Sequence, residues 1–185
     1  MRARGGKLRV VAEGASAPPR RIVLEDAEFD AIFRAHARYV AAVACRLLGR
    51  DDEVDDAVQE VFLRAMSKLR EHRGDEATRA WLRIVTVRIV RRRLTRRRWL
   101  RLFGAGDADT FAEVPTREAT PEERATLREV YAALDALPVD LRIAWVLRHA
   151  EEERLEDVAR ACECSLATAK RRIAAAEAAL ARRLR

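Results

Sequence analysis

Hydrophobic positions recur at three- and four-residue spacing along most of this chain, which is the period of helices with one buried face. From about Asp26 to Leu48 the stripe is Phe29, Ile32, Phe33, His36, Val40, Val43 and Leu47, with Gly49 placed as a C-terminal stop. A second helix is predicted from Asp51 through Met66, DDEVDDAVQEVFLRAM, and on to about Leu69 or Arg70. Val54, Ala57, Val58, Val61, Phe62 and Ala65 line its apolar side; Asp52, Glu53, Asp55, Asp56, Gln59 and Glu60 occupy the others. Glu71 to Thr78 reads as a polar loop centred on Gly74, followed by a third helix carrying Trp81, Leu82, Ile84, Val85 and Ile89. Residues 102–120 shift to Gly, Asp, Ala, Thr and Pro with weak periodicity, the signature of a linker.

Beyond the linker, Thr120-Pro121-Glu122-Glu123 combines an N-cap, a proline at the first helical position and a capping-box glutamate. Leu127, Val130, Tyr131, Leu134 and Leu137 supply that helix with a buried face, Pro138 breaks it, and Leu141, Ile143, Ala144, Val146 and Leu147 begin another. Two further helices flank a tight turn. Leu155, Val158, Ala159 and Cys162 face one side of the first, Ser165 caps the second, and Ala169, Ile173, Ala176 and Leu180 form its apolar side. Ala167, Thr168, Arg171 and Arg172 lie opposite, with Lys170 at the flank, the arrangement of a helix-turn-helix whose second helix meets the major groove. A plain αα-hairpin with a basic surface is the simpler reading of this segment alone.

Composition agrees with an all-α fold: strong helix formers dominate the 185 residues, with only seven Gly and five Pro. The expected organisation is two small helical domains joined by a flexible linker: a flexible basic extension at 1–24, a first domain at 25–101, the linker at 102–120 and a second domain at 121–185. The formal net charge is +7 and the pI near 10.1, which points to polyanionic partners and makes nucleic acid the first hypothesis. Eight arginines fall within the fourteen residues 88–101, around Trp99 and on more than one helix face. Such density is repulsive without anions nearby and favours phosphate contact. The acidic second helix runs against this balance. Acids in a first turn complement the helix dipole, which accounts for Asp51 to Asp55 but less well for Gln59 and Glu60 in its middle.

No Ser/His/Asp constellation, phosphate-cradling Gly loop or metal cluster is visible, so neither enzymatic activity nor a cofactor is expected; His36, His72 and His149 lie in unrelated settings. His36 on its stripe reads as a core-edge residue. Cys45, Cys162 and Cys164 cannot all pair within one chain, so reduced thiols are expected, and Cys162 and Cys164 sit where a helix-turn-helix packs small apolar groups. Neither a membrane span nor a signal peptide is evident, and a cytoplasmic location is expected.

Taken together, DDEVDDAVQEVFLRAM with HRGDEATRAWLRIVTVRIVRRRLTRRR resembles region 2 of the sigma-70 family, and LDALPVDLRIAWVLRHAEEERLEDVARACECSLATAKRRIAAAEAAL resembles its region 4. With only a short linker between them, the chain is similar to extracytoplasmic-function (ECF) sigma factors over about residues 26 to 185. The resemblance implies a subunit that binds core RNA polymerase, directs it to promoters through minus-10 and minus-35 elements and assists melting. Asp56, Gln59, Glu60, Phe62 and Met66 then match the family's polymerase-binding pattern. His72, Arg73, Asp75 and Glu76 match the loop that captures a flipped minus-10 base, an event costing a few kcal/mol of lost stacking. Trp81, Arg83, Arg88, Arg91 and Arg92 would line the path of the melted strand or adjoining phosphates, and Thr168, Lys170, Arg171 and Arg172 would meet the minus-35 element.

Two departures stand out. Many members read close to A-R-N-x-x-x-D-x-x-R-R where this chain has VTVRIVRRRLTRRR, losing the Asn and Asp to Val87 or arginines, and the usual turn Gly is Glu163. Family members are commonly restrained by an anti-sigma factor, so such a partner is plausible. The runner-up is a stand-alone dimeric helix-turn-helix regulator, and a protein-binding helical adaptor is a third class that leaves the arginines unexplained.

Overall fold

A computed structural model describes residues 26–50, 52–65, 74–103 and 120–184. These form seven α-helices: α1 (Asp26–Leu48), α2 (Val54–Ala65), α3 (Asp75–Leu102), α4 (Pro121–Asp135), α5 (Val139–His149), α6 (Leu155–Ala161) and α7 (Leu166–Arg183), with no strand among the described residues. The N-terminal extension, the end of the acidic segment from Met66, and residues 104–119 of the expected linker lie outside them.

The helices α1, α2 and α3 pack on one another. Val40, Val43, Leu47, Val61, Leu82 and Ile89 are almost wholly removed from water between them. Burying a side chain of this size is worth roughly 1.5–3 kcal/mol, so these few positions fix which faces meet. Phe62 of α2 enters the same core, its ring edge-on to Phe33 at 4.7 Å and to Phe29 at 6.3 Å. α1 ends where its stripe ends: Gly49 takes φ +67° and its N–H donates to Cys45 O at 2.7 Å, a left-handed cap that glycine adopts without strain.

Two boundaries differ from expectation. The acidic segment does not begin its helix at Asp51; Asp52 and Glu53 lie in a turn, with the Glu53 carbonyl receiving the Ala57 N–H at 3.0 Å. The loop expected through Thr78 ends at Gly74, because Asp75 and Glu76 open α3, where their charge complements the helix dipole. Thr78 is already buried.

In the second half the capping box at Thr120 forms as read, its hydroxyl accepting from Glu123 N and its own N–H donating to the Glu123 carboxylate at 2.7 Å. Pro138 separates α4 from α5. Helices α5, α6 and α7 pack around Ile143, Leu147, Val158, Ala169 and Ile173; α5 also lies against α1 and α3, and α6 against α3.

Candidate nucleic-acid interface

On α2, Asp55, Asp56 and Gln59 are exposed at one-turn spacing. Glu60 is different. It is half-buried and surrounded by guanidinium groups, pairing with Arg92, with Arg93 at 3.1 Å and with Arg64 at 3.0 Å. Burial acts to raise its pKa, but hydrogen bonds from Arg93 and Arg92 outweigh burial and hold the carboxyl below its usual range. Glu53 lies one α3 turn further on, at 2.8 Å from Arg97 and 3.8 Å from Arg93. The same-chain arginine helix is therefore a partner of the acidic helix, on the face of α2 adjoining the one that carries Asp56 and Gln59.

Phe62, matched to the docking pattern, is only 2% exposed and is a core residue here. The apolar side chain that α2 shows to solvent is its neighbour Leu63, 65% exposed and one turn beyond Gln59 and Glu60. Asp56, Gln59, Glu60 and Leu63 share an i, i+3, i+4, i+7 line, a rule that finds Leu63 from sequence once Phe62 is given to the core. Met66 lies outside the described residues.

The eight arginines of α3 are mostly occupied. Arg92, Arg93 and Arg97 meet Glu60 and Glu53 as above; Arg101 lies 2.9 Å from Asp135, Arg98 donates to Leu137 O at 3.2 Å, and Arg97 also donates to Leu48 O at 3.2 Å. Arg88 donates to Glu163 through Nε at 2.9 Å, and Arg91 reaches both Cys162 O and Asp140 at 3.1 Å. Arg96 has no such partner among the described residues. Arg88, Arg91, Arg92, Thr95, Arg96 and Trp99 line an open groove of about 560 Å³, with the Trp99 ring 57% exposed and stacked on Phe103 at 5.6 Å.

Of the other minus-10 candidates, Asp75 and Glu76 are exposed on the first turn of α3, with His36 Nε2 at 3.4 Å from Asp75 and otherwise buried at the core edge. Trp81 packs partly buried against the core. Arg83 does not face an open path: its side chain is 12% exposed, donating to Tyr39 Oη at 2.9 Å and lying 2.7 Å from Glu153. His72 and Arg73 lie outside the described residues. Val87, where the family pattern often has a polar residue, is fully buried, so a polar side chain there would need a partner in the core.

The α6–turn–α7 unit follows from local chemistry. Cys164 N–H donates to Ala159 O at 3.0 Å and Glu163 N–H to Arg160 O at 3.1 Å, a Schellman closure with Glu163 at φ +54° in the position normally given to glycine. The Ser165 hydroxyl accepts from Thr168 N at 3.2 Å and donates to Thr168 Oγ1 at 2.9 Å, starting α7. Lys170 and Arg171 are exposed beside Ala167 at this N-terminal end, Thr168 is partly covered, and Arg172 turns back to Asp140 at 2.8 Å. Cys162 is buried, and burial pushes its thiol up to about 11, so it stays a neutral packing group.

Comparison with known proteins agrees with this geometry. Residues 32–100 match the family model for Sigma-70 region 2 and residues 127–180 that for Sigma-70, region 4. The ECF RNA polymerase sigma factor EcfG of Rhodopseudomonas palustris is 35% identical over 135 residues, covering 71% of this chain and 71% of that one. This chain belongs to the ECF sigma factors of the sigma-70 family. The RNA polymerase sigma-H factor of Pseudomonas aeruginosa is 29% identical over 161 residues, 82% of this chain and 83% of the relative. Among solved structures, the sigma factor RpoE in complex with the anti-sigma factor NepR from Bartonella quintana shares the fold, with a TM-score of 0.66 at 23% identity over 85% of this chain and 96% of that one. CnrH in complex with the cytosolic domain of CnrY gives 0.57 at 23% identity, over 86% and 89%.

In this sigma factor, then, the region 2 match falls on α1–α3 and the region 4 match on α4–α7, and the two sets of helices meet. Arg142 of α5 is 3% exposed, donating through Nε to Leu47 O at 3.0 Å and pairing with Asp135; burial lowers its pKa against the pull of that carboxylate. Its guanidinium thus satisfies a carbonyl left open at the end of α1. Tyr131 lies so close to Gly49 that a Cβ there would come within 2.6 Å of its ring. Arg46 meets Glu151 at 2.6 Å.

Proposed function

We propose that this ECF sigma factor divides its work by region. The Asp56–Gln59–Glu60–Leu63 face of α2 docks on core RNA polymerase, α3 with the segment before it reads and helps melt the minus-10 element, and the N-terminal end of α7 reads the minus-35 element. The observation that carries this reading is the pair of solvent-facing surfaces of opposite character: the exposed Asp55, Asp56 and Gln59 with an apolar anchor, Leu63, on α2, and a cationic helix end on α7 whose Lys170 and Arg171 have no acidic partner among the described residues. Acid with an exposed leucine suits a protein surface, while Thr, Lys and Arg at a recognition-helix start suit base edges and phosphates. Sigma factors are a non-enzymatic family. No helix among the described residues is long and apolar enough to cross a membrane, and we place the action of this chain in the cytoplasm with the transcription machinery. An anti-sigma factor of the kind bound to RpoE and CnrH is a fitting regulator.

Asp56 gives the cleaner docking test, since Glu60 is also bound to α3. Co-elution with core polymerase should be lost in Asp56→Arg combined with Leu63→Asp, by about a hundredfold in affinity, the scale of a small interface hot spot. A stand-alone regulator would bind neither the wild-type polymerase nor respond to this change. Wild-type protein that fails to bind core polymerase or to support run-off transcription would overturn the reading.

A further inference from the structure

We propose, independently of the promoter reading, that the C-terminal end of α3 is a peripheral membrane-binding site, which lays an apolar surface edged by arginines on the headgroup layer of an anionic lipid bilayer. Within five positions Trp99, Leu100, Leu102 and Phe103 are all exposed, Leu102 and Phe103 by 72% and 74%. The other large apolar side chains that the described residues show to solvent, Phe33, Leu63, Leu166 and Leu184, are scattered over α1, α2 and the two ends of α7. Single exposed apolar residues are ordinary on a protein surface, but a contiguous patch marks a place where something binds.

The helix has two faces here. Arg97, Arg98 and Arg101 are tied to Leu48 O, Leu137 O and Asp135, which fixes one side of α3 against the rest of the chain. Arg92, Arg96, Trp99 and Phe103 follow one another at i, i+4, i+7 and i+11 on the other side, with Leu100 and Leu102 flanking them. At 1.5 Å per residue this stripe is about 18 Å long. The Trp99 and Phe103 rings stack at 5.6 Å with 11° between their planes, so they present one continuous apolar surface. Arg96 is exposed beside it and lines the same groove as Arg88, Arg91 and Arg92.

Charge alone suits a duplex as well as a bilayer; the leucines decide between them. An array of phosphates offers Leu100 and Leu102 no apolar partner, and aliphatic side chains do not stack on bases. Trp, Phe and Leu beside Arg is the composition that settles at a membrane interface, with the indole and guanidinium groups among the headgroups and the alkyl groups below them. Anionic headgroups add an attraction for each arginine that salt weakens. A second copy of the chain would instead bring two sets of arginines face to face, a juxtaposition that costs rather than stabilises. The attachment is peripheral, since no helix among the described residues is long and apolar enough to cross a membrane.

The test uses the full chain with vesicles of phosphatidylcholine containing roughly one-third phosphatidylglycerol, and pure phosphatidylcholine vesicles beside them. At about 0.1 M salt the chain should sediment with the anionic vesicles at least about tenfold more strongly than with the neutral ones. Trp99→Ser combined with Phe103→Ser should weaken that binding about tenfold, and Arg96→Gln should narrow the difference between the two lipids. Leu184→Ser, at an exposed leucine at the end of α7, should leave binding unchanged. All these positions are exposed, so helix content by circular dichroism should stay at the wild-type value.

A second measurement locates the contact. In Trp81→Phe combined with Trp145→Phe, Trp99 is the one indole left of three. Its emission should move to shorter wavelength on adding anionic vesicles and be quenched by acyl chains brominated near the headgroup. A serine pair that binds as wild type would mean that the +7 charge alone adsorbs the chain, and would overturn the site. Vesicle binding with Trp99 emission unmoved overturns it as well, as does wild-type protein that does not bind anionic vesicles. In that last case, a wild-type dimer made monomeric by the serine pair would give the patch to a second copy of the chain, and loss of oligonucleotide binding in the serine pair would give it to nucleic acid.

Discussion

Two helices of this sigma factor carry the cations assigned to DNA, and they hold them in opposite ways. On α3 the arginines are largely committed to Glu53, Glu60, Asp135, Asp140, Glu163 and three backbone carbonyls. On α7, Lys170 and Arg171 stand in solvent, and only Arg172 is tied. Density of charge is thus a poor guide to availability: α3 accommodates its arginines because the neighbouring helices α1, α2, α4, α5 and α6 and the turns at their ends bring carboxylates and backbone carbonyls to it, whereas α7 has fewer cations and shows most of them. A crowded guanidinium row is stable only with anions beside it, and proteins supply these as readily as nucleic acid does.

The strongest way to break the contrast is to separate the regions. Gly49→Val puts a branched side chain at φ +67° and drives its Cβ into Tyr131, combining backbone strain with overpacking. A loss of about 3–5 kcal/mol in unfolding free energy is expected from denaturant titration, the sum of those two effects. Gly74→Ala supplies the comparison, since Gly74 has positive φ but open space around it. It should cost about 1–2 kcal/mol, the backbone part alone. Equal losses would mean that the Tyr131 contact contributes little.

Next in size is the difference between occupied and free arginines. Arg171→Ala should weaken binding of the free chain to a minus-35 duplex by about 1–3 kcal/mol and leave polymerase binding unchanged. Arg91→Ala in the same assay should change affinity by less than about 1 kcal/mol, because its guanidinium is held by Asp140 and Cys162 O before DNA arrives. In holoenzyme, where region 4 and region 2 each face DNA, the Arg91 effect should grow. A larger Arg91 than Arg171 effect in the free chain would reverse the contrast.

Acid sharpens the α2–α3 side. Glu60 has a depressed pKa, so its ion pairs contribute fully above the unfolded carboxylate value of about 4.3 and are lost as pH falls through the folded value. Glu60→Gln should be less stable than wild type at pH 7, with the gap closing below about pH 4 in thermal melts. A gap that persists on acidification would show that packing, rather than charge, sets the contribution of this residue.

What was legible in the sequence was what local rules govern. Thr120 and Ser165 as caps, Gly49 as a helix stop, and Glu163 in a glycine's conformation each depend on residues within one turn. The period of α2 likewise gave Phe62 to the core, but matching the family's docking pattern placed it on the surface as well. Only one of these fits a side chain, and the stripe was right; rotating one residue along the helix leads to Leu63. The partners of the α3 arginines were out of reach because they lie 32 to 75 residues away, and charge alone does not choose between a distant carboxylate and a phosphate. The acidic start of α3 reads as loop in the sequence because Gly, Asp and Glu are also what loops contain.

The smallest effect expected tests the residue where the regions touch the turn itself. At Glu163 two contributions oppose each other: the left-handed φ of +54° disfavours any residue with a Cβ, while the carboxylate gains an ion pair with Arg88 across the seam. Glu163→Ala keeps the strain and removes the pair; Glu163→Gly removes both. The difference between the two variants is therefore the backbone contribution alone, about 0.5–1 kcal/mol in favour of Gly. The pair is exposed on both sides, so its own contribution should stay under about 1 kcal/mol and Glu163→Gly should fall near wild type in chemical unfolding. A Gly variant clearly less stable than wild type would show that the turn is held by its Arg88 contact more than it is strained by its φ. The glutamate in the glycine position would then be part of what keeps region 4 on α3.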